Sequence, residues 1–253
     1  SYVSTHPATS DRVAKTASET LGGQNNGETN RNAYLDVIDG ITYGDSAKQG
    51  FVRGSDFIHP SIGFKFSVPD GFKIINQPAQ VIATSRDKSV LLFDFAANKA
   101  GQTPMAYLQN VWMKGEGVKN AEAITINGMP AATAAFAGTI NKVPMTIRLI
   151  AIRFSAQSFA RFQIAIPNTA TGSMVDALKR SSYSFVKLSP DQKAGYKPYH
   201  LKIVTAKPGD NVTSMAASFP YKSLNEERFR MLNGMEPQEN VTAGERYKVI
   251  MAP

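Results

Sequence analysis

The stretch from Gly54 to Phe72 shows the alternation of apolar and polar residues that is typical of a half-buried β-strand. Within it, Phe64, Phe66 and Val68 alternate with polar residues. The tripeptide Pro-Asp-Gly at 69–71 follows, and it predicts a turn because proline fixes φ and glycine permits positive φ. We therefore expect this stretch to open a β-rich domain.

Similar patterns continue to residue 188. Thr103 and Pro104 are suited to the N-cap and first position of a helix over 104–113, and Asn127-Gly128 is a strong hairpin signal. Antiparallel strands with two interposed helices predict an α+β fold, with both helices packed on one sheet. The predicted strands are 62–68, 72–76, 79–84, 89–96, 122–126, 129–138, 142–154, 158–166 and 183–188, and the second helix is 170–181.

The two ends of the chain differ from this middle part. Helical spacing occurs within residues 1–21 and again at 31–38, separated by the Gly/Asn-rich segment 22–30. A Gly-rich connection, 41–54, follows. The pattern predicts three regions: a helical tail and linker (1–53), a β-rich domain (54–190) and a small C-terminal module (196–253).

The C-terminal module has the pattern of a strand, two helices and a second strand. Residues 189–199 are polar and contain prolines, which predicts a linker before it. A turn at Lys207-Pro208-Gly209-Asp210 separates the first strand from the first helix. The predicted elements are strand 200–205, helices 212–218 and 224–233, and strand 246–250.

The composition of the chain limits the classes of chemistry and of binding partner that it can have. The 253 residues include no cysteine, which excludes disulfides and thiolate chemistry. A net charge of +8 favours anionic partners, but no run of five Lys or Arg occurs, which argues against nucleic acid. We expect no transmembrane segment, because no apolar run reaches the ~20 residues of a membrane span. No signal peptide is visible after Ser1, so we expect a mature form or a fragment.

Catalytic motifs are missing from the sequence. His6, His59 and His200 lie far apart, and neither His-Glu-x-x-His nor Gly-x-Ser-x-Gly occurs. We interpret Gly115-Glu116-Gly117 as a plain turn, and we interpret the three aspartates Asp36, Asp39 and Asp45 as solvated loop acids. We therefore predict no catalytic residue, no metal site and no cofactor within this chain.

The segment from Ser4 to Val13, STHPATSDRV, resembles a part of the HtpX-like zinc metallopeptidases (metallopeptidase family 48). In that family a Ser/Thr-x-His-Pro segment with a following Arg lies near the end of the catalytic domain. The resemblance implies that His6 lies near the zinc of a parent protease, and that Arg12 anchors the segment through charge-assisted hydrogen bonds. Because this chain lacks His-Glu-x-x-His and the glutamate ligand, it would be the non-catalytic C-terminal portion.

Residues 34–72 are similar to the segment that follows the protease domain in longer bacterial members of the same family. There the segment leads into an accessory β-rich domain. The Phe-x-Phe-x-Val-Pro-x-Gly-Phe pattern at 64–72 also resembles the opening of PsbP-type α+β domains.

Residues 199–251 resemble a LysM module. Three places in this segment match the LysM pattern. They are the Pro-Gly-Asp turn at 208–210, the Leu-Asn-Gly end of the second helix at 232–234 and the Ala-Gly-Glu-Arg run at 243–246. Such modules bind N-acetylglucosamine chains such as peptidoglycan. The chain departs from the pattern in two places: an extended junction between its helices, Phe219-Pro220-Tyr221-Lys222-Ser223, and a methionine, Met235, in the groove. By resemblance, the glycan-binding residues would be Gly209, Asp210, Asn211, Val212, Asn233, Gly234 and Met235.

These resemblances predict an accessory region of an envelope zinc metalloendopeptidase, located in the bacterial periplasm or cell envelope. The region would position substrate or partner proteins beside an N-terminal catalytic domain and tether the enzyme to the wall. Zinc would belong to the parent protein and not to this chain. An alternative is a stand-alone peptidoglycan-binding envelope protein. A third interpretation, from the net charge alone, is a binder of nucleic acid or anionic lipid.

Overall fold

The computed structural model describes residues 30–114 and 120–253, and the chain divides into a unit of residues 1–39 and a unit of residues 40–253. The described part of the first unit contains helix α1 (Arg31–Ile38), which confirms the predicted helix. Asn30 caps it, since its side chain accepts a hydrogen bond from the Ala33 amide at 3.2 Å. The predicted helical segment within 1–21, with His6 and Arg12, lies outside the described residues, as does linker segment 22–29.

The second unit is built from antiparallel strands and few helices, which confirms the mixed α and β composition with antiparallel sheets. Its described residues form a seven-stranded, a four-stranded and a three-stranded sheet. The strands are β1 (Thr42–Tyr43), β2 (Phe51–Arg53), β3 (Asp56–His59), β4 (Phe64–Ser67), β5 (Lys73–Asn76), β6 (Val81–Thr84), β7 (Val90–Ala97), β8 (Glu122–Ile126), β9 (Met129–Ile140), β10 (Val143–Ser155), β11 (Ser158–Pro167), β12 (Val186–Lys187), β13 (Tyr199–Thr205) and β14 (Arg246–Met251).

The seven-stranded sheet has the order β5-β6-β7-β11-β10-β9-β8. Its hairpins are closed by the turn residues that the sequence indicated. Asn127 and Gly128 have φ of 46° and 77°, and Asn141 and Lys142 have φ of 49° and 66°. Positive φ at both central residues is the geometry of the tight turn that matches the twist of paired strands. Because β7 pairs with β11, strands β5–β7 and strands β8–β11 form one sheet, although a helix separates the two groups along the chain.

A cluster of phenylalanine rings fills the space between the seven-stranded sheet and the four-stranded sheet β12-β4-β3-β2. Phe64 lies near its centre: its ring centroid is 5.1 Å from that of Phe93 and 5.5 Å from that of Phe185. Alternation along each strand points these rings to one side of the sheet. The cluster, here called the phenylalanine core, consists of Phe57, Phe64, Phe66, Phe93, Phe95, Phe154, Phe162 and Phe185.

A helix covers part of the opposite face of the seven-stranded sheet. Its first turn, α2 (Pro104–Tyr107), is capped by Thr103 as predicted, and it continues as a π-helical turn, π1 (Leu108–Trp112). Tyr107 stacks on Phe159 with ring centroids 4.4 Å apart. Small alanines on β9 leave room for the helix to approach.

An ion pair lies under this helix. The Arg161 guanidinium donates to both carboxylate oxygens of Asp94, at 2.7 and 2.5 Å, and to the Tyr107 hydroxyl at 3.0 Å. Burial alone would lower the pKa of Arg161, but the hydrogen bond and charge of Asp94 raise it above its ordinary value. The pair therefore fixes the helix to the strands through groups that stay charged.

Several elements differ from the sequence prediction. Helix α3 (Gly172–Tyr183) extends two residues further than predicted, so the predicted strand 183–188 is reduced to β12. Ser184 ends that helix, and its hydroxyl accepts a hydrogen bond from the Ser67 amide at 2.8 Å. The predicted linker 189–199 contains helix α4 (Pro190–Gly195), because Ser189 and Gln192 form a capping box. The predicted connection 41–54 contains β1 and β2.

The C-terminal segment folds as β13, α5 (Val212–Ala216), α6 (Asn225–Asn233) and β14. This is the predicted order of strand, helix, helix and strand. Residues 200–205 of β13 pair antiparallel with residues 246–251 of β14, and β1 adds a third strand beside β13. The two helices pack on this ribbon around Phe229, which is fully buried. Across the described residues, helices that combine the length and apolarity of a membrane span do not occur.

Candidate functional site

The first candidate loop of the C-terminal module is the Pro-Gly-Asp turn between β13 and α5. The carboxylate of Asp210 accepts a hydrogen bond from the Lys207 amide at 2.7 Å, which closes the turn. Gly209 has φ of +91° and is exposed, and nothing lies within 4 Å of the position a side chain would take. The backbone of Gly209 is therefore open to an approaching ligand.

The next two residues begin helix α5. Asn211 is its N-cap and forms a capping box with Ser214, in which the Asn211 side chain accepts from the Ser214 amide at 2.9 Å. Val212 is only 4% exposed and belongs to the core of the module. Of this pair, only Asn211 lies at the surface.

The second candidate loop follows α6, and Asn233 has a structural role in it. The Asn233 amide group donates to the carbonyls of Phe229 and Lys248, both at 2.9 Å, and its oxygen accepts from the Lys248 amide at 2.8 Å. These bonds join the end of α6 to β14. Gly234 then ends the helix with φ of +67°, and Met235 packs partly against the core.

Both loops adjoin the same part of the β13–β14 ribbon. The Pro-Gly-Asp turn follows directly after Thr205, which is paired with Arg246. Asn233 bonds to Lys248, which is paired with Ile203 two residues before Thr205. Four of the predicted glycan-binding residues (Gly209, Asp210, Asn211 and Gly234) have surface positions, whereas Val212 and Asn233 hold the fold. Glycan binding by any of these residues stays a prediction.

The histidines of the described residues have structural partners. His59 Nδ1 accepts from the Ile62 amide at 3.2 Å, and its ring stacks on Phe64. Burial lowers the pKa of His59 from its ordinary value, which favours the neutral ring. His200 Nδ1 lies 3.0 Å from the carbonyl oxygen of Gly40. In residues 30–114 and 120–253, no three His, Cys, Asp or Glu side chains form a group that could hold a metal ion.

The sequence did not indicate the cleft of about 550 Å³ beside His59. Rings of the phenylalanine core form its apolar side, and a polar rim comes from Asp45, Lys48 and Gln49 and from the turn 77–80. The Asp45 carboxylate is engaged, since it accepts from the Val52 amide at 2.9 Å. This cleft is large enough for a small ligand.

A second cleft, of about 520 Å³, lies between the β2–β3 hairpin and the C-terminal module. We call it the junction cleft. Arg53 of the hairpin and Arg228 of α6 both line it, together with Tyr199, Tyr221 and Lys222. These residues were not predicted from the sequence. Four residues that line the cleft, at positions 220–223, belong to the extended junction between the helices that departs from the LysM pattern.

No family model and no curated protein matches the chain. Similar solved structures include a protein from Bacteroides thetaiotaomicron VPI-5482, with a TM-score of 0.42 and 12% identity over 59% of this chain and 53% of the other. This chain thus spans about half of that protein. PsbP from Synechocystis sp. PCC 6803 is similar over 57% of this chain and 98% of its own (TM-score 0.40, 14% identity).

A further similar structure is LpqN of Mycobacterium tuberculosis, described as involved in cell envelope biogenesis. It has a TM-score of 0.40 and 15% identity over 62% of this chain and 95% of its own. TM-scores of 0.40 to 0.42 are too low to support a statement about family or function. The PsbP-type resemblance of the central domain therefore stays a prediction.

We expect the three hydrogen bonds of the Asn233 side chain to stabilise the folded C-terminal module. Asn233→Ala removes them all and leaves the Lys248 amide and carbonyl without these partners, so we expect a loss of about 2–3 kcal/mol in the free energy of unfolding. Urea unfolding of the whole chain would measure it. Gln238→Ala, which removes an exposed amide side chain from the same module, is the control and should change stability by less than about 0.5 kcal/mol. Equal effects of the two substitutions would refute the structural role.

Proposed function

We propose that this chain is a non-catalytic binding region of a bacterial envelope protein, and that its C-terminal module binds N-acetylglucosamine chains such as peptidoglycan. The observation that carries the proposal is the arrangement of β13, α5, α6 and β14, in which two glycine-bearing turns lie along one part of an antiparallel ribbon. This arrangement agrees with the LysM resemblance of residues 199–251.

The exposed turns have chemistry that suits an acetylated amino sugar. The acetamido group carries one N–H donor and one carbonyl acceptor, which complement backbone amides and carbonyls. At Gly209 and Gly234, a ligand can reach the backbone because no side chain covers it and no atom lies within 4 Å of the Cβ position. The Asp210 and Asn211 side chains fix the shape of the first turn, so the ligand meets a preorganised surface.

We further propose that the parent protein is an HtpX-like zinc metalloendopeptidase. This part rests on the His-Pro segment at 4–13 and on residues 34–72. In such a parent, zinc-activated water would attack the peptide carbonyl with the glutamate of His-Glu-x-x-His as base, and His6 and Arg12 would lie near that site. The present chain would tether the catalytic domain to the wall and position envelope protein substrates. The alternative is a stand-alone peptidoglycan-binding protein.

Binding to insoluble peptidoglycan tests the first part. Gly209→Asn and Gly234→Asn each add a side chain over the proposed surface, and asparagine tolerates the left-handed backbone at both positions. We expect each to lower the affinity about tenfold in a sedimentation assay, while the unfolding midpoint changes little. Gly71→Asn is a matched control, because Gly71 has φ of +84° and an open Cβ position in the central domain.

The proposal would be wrong if the whole chain failed to sediment with peptidoglycan, or if Gly71→Asn weakened binding as much as the two module variants. Binding that disappears equally for all variants at 0.5 M salt would indicate attraction by the net charge alone.

The mass of the native protein tests the parentage. An antibody against residues 55–253 should detect, in the envelope fraction of the source cells, a band much larger than the 27.4 kDa of this chain. The added mass would contain the zinc-binding catalytic domain. A band at 27.4 kDa would contradict the protease parentage and favour the stand-alone alternative.

A further inference from the structure

The junction cleft has an excess of positive charge. Arg53, Lys222 and Arg228 line it, against the single carboxylate of Asp56. That carboxylate is engaged elsewhere, since it accepts a hydrogen bond from the Ser67 hydroxyl at 2.5 Å. The charge balance of the cleft therefore favours an anion.

Two tyrosine rings hold the guanidinium groups in place. The guanidinium carbon of Arg53 lies 3.6 Å from the ring centroid of Tyr199, and that of Arg228 lies 4.3 Å from the ring centroid of Tyr221. The two rings meet edge to face with centroids 6.1 Å apart. Stacking fixes the plane of a guanidinium while leaving its N–H groups free to point along that plane.

The donors of Arg228 are unused. Its Nε is buried and has no hydrogen-bond partner, and among the described residues no hydrogen bond or ion pair of its guanidinium occurs. Arg53 differs, because it donates to the carbonyls of Val52 and Lys197 at 3.4 and 3.3 Å. A buried Nε donor without a partner is unfavourable unless a ligand completes it.

The wall that carries Tyr221 and Lys222 is held in a defined conformation. The Asn225 side chain donates to the carbonyls of Phe219 and Tyr221, at 3.3 and 3.1 Å. Leu224 adopts φ of 60°, which is unusual for a residue with a branched side chain. Backbone of this kind is concentrated at ligand sites, where the surrounding contacts impose it.

We propose that the junction cleft binds a carboxylate-bearing ligand, with Arg228 as the group that pairs with the carboxylate. A planar guanidinium matches a carboxylate through two parallel N–H to oxygen bonds, and Lys222 adds a second charge from the same wall. The volume of about 520 Å³ suits a small acid or one acidic segment of a polymer. The inference does not depend on the proposed glycan function, because the glycan turns are separate from these residues.

The carboxylate has two candidate sources: a free polycarboxylic acid, or the acidic peptide attached to a wall glycan. Calorimetric titration of the whole chain at fixed ionic strength would use three probes. They are citrate, a soluble peptidoglycan fragment with its peptide, and an N-acetylglucosamine oligomer, which bears no carboxylate.

The variants are Arg228→Gln, Arg228→Lys and the control Lys179→Gln, which removes one exposed cation from helix α3. We expect Arg228→Gln to weaken binding of citrate and of the peptide-bearing fragment about tenfold or more, and to leave binding of the N-acetylglucosamine oligomer unchanged. Arg228→Lys should retain part of the affinity because it keeps the charge but loses the two-pronged geometry. Lys179→Gln should have little effect.

Failure of both citrate and the peptide-bearing fragment to bind would overturn the inference. So would equal weakening by Lys179→Gln, since the net charge would then explain the binding. Citrate binding without any binding of the N-acetylglucosamine oligomer would support the junction cleft and contradict the proposed glycan function, so the two can fail separately.

Discussion

Packing of phenylalanine rings between two sheets is the constraint on which the central part of the molecule depends. Neither the seven-stranded nor the four-stranded sheet can bury its inner face without the other. Each buried phenylalanine contributes roughly 1.5–3 kcal/mol relative to an exposed one, and their edge-to-face contacts add to that. The packing of the two sheets also sets the position of the β2–β3 hairpin, because Phe57 on β3 is part of the phenylalanine core. The hairpin in turn presents Arg53 to the C-terminal module.

Local patterns predicted much of this fold. The turns Asn127-Gly128 and Asn141-Lys142, the cap at Thr103 and the order of the C-terminal elements all follow from short-range chemistry, and the structure has them. What the sequence did not predict depends on distant pairing. β1 has only two residues, and it exists because Thr42 and Tyr43 pair with His200 and Tyr199. A strand that short has no periodicity to detect.

The candidate functional site was likewise predicted only in part from the sequence. The Pro-Gly-Asp turn and the Asn-Gly end of α6 were identified from sequence, but the pattern did not separate Asn233 and Val212, which hold the fold, from the exposed glycines. The junction cleft was not predicted, because Arg53 and Tyr199 are far apart in the chain and lie in two different sheets. The one local signal was the extended segment between α5 and α6, where the LysM resemblance fails.

In the proposed function, the two glycine-bearing turns of the C-terminal module form the surface that binds N-acetylglucosamine chains. Titration of the ¹⁵N-labelled chain with an N-acetylglucosamine oligomer, followed by amide NMR, tests it most directly. The account predicts concentration-dependent shifts at Gly209, Asn211 and Gly234, with the amides of the phenylalanine core unchanged. Shifts confined to other parts of the chain, or no shifts at millimolar oligomer, would contradict it.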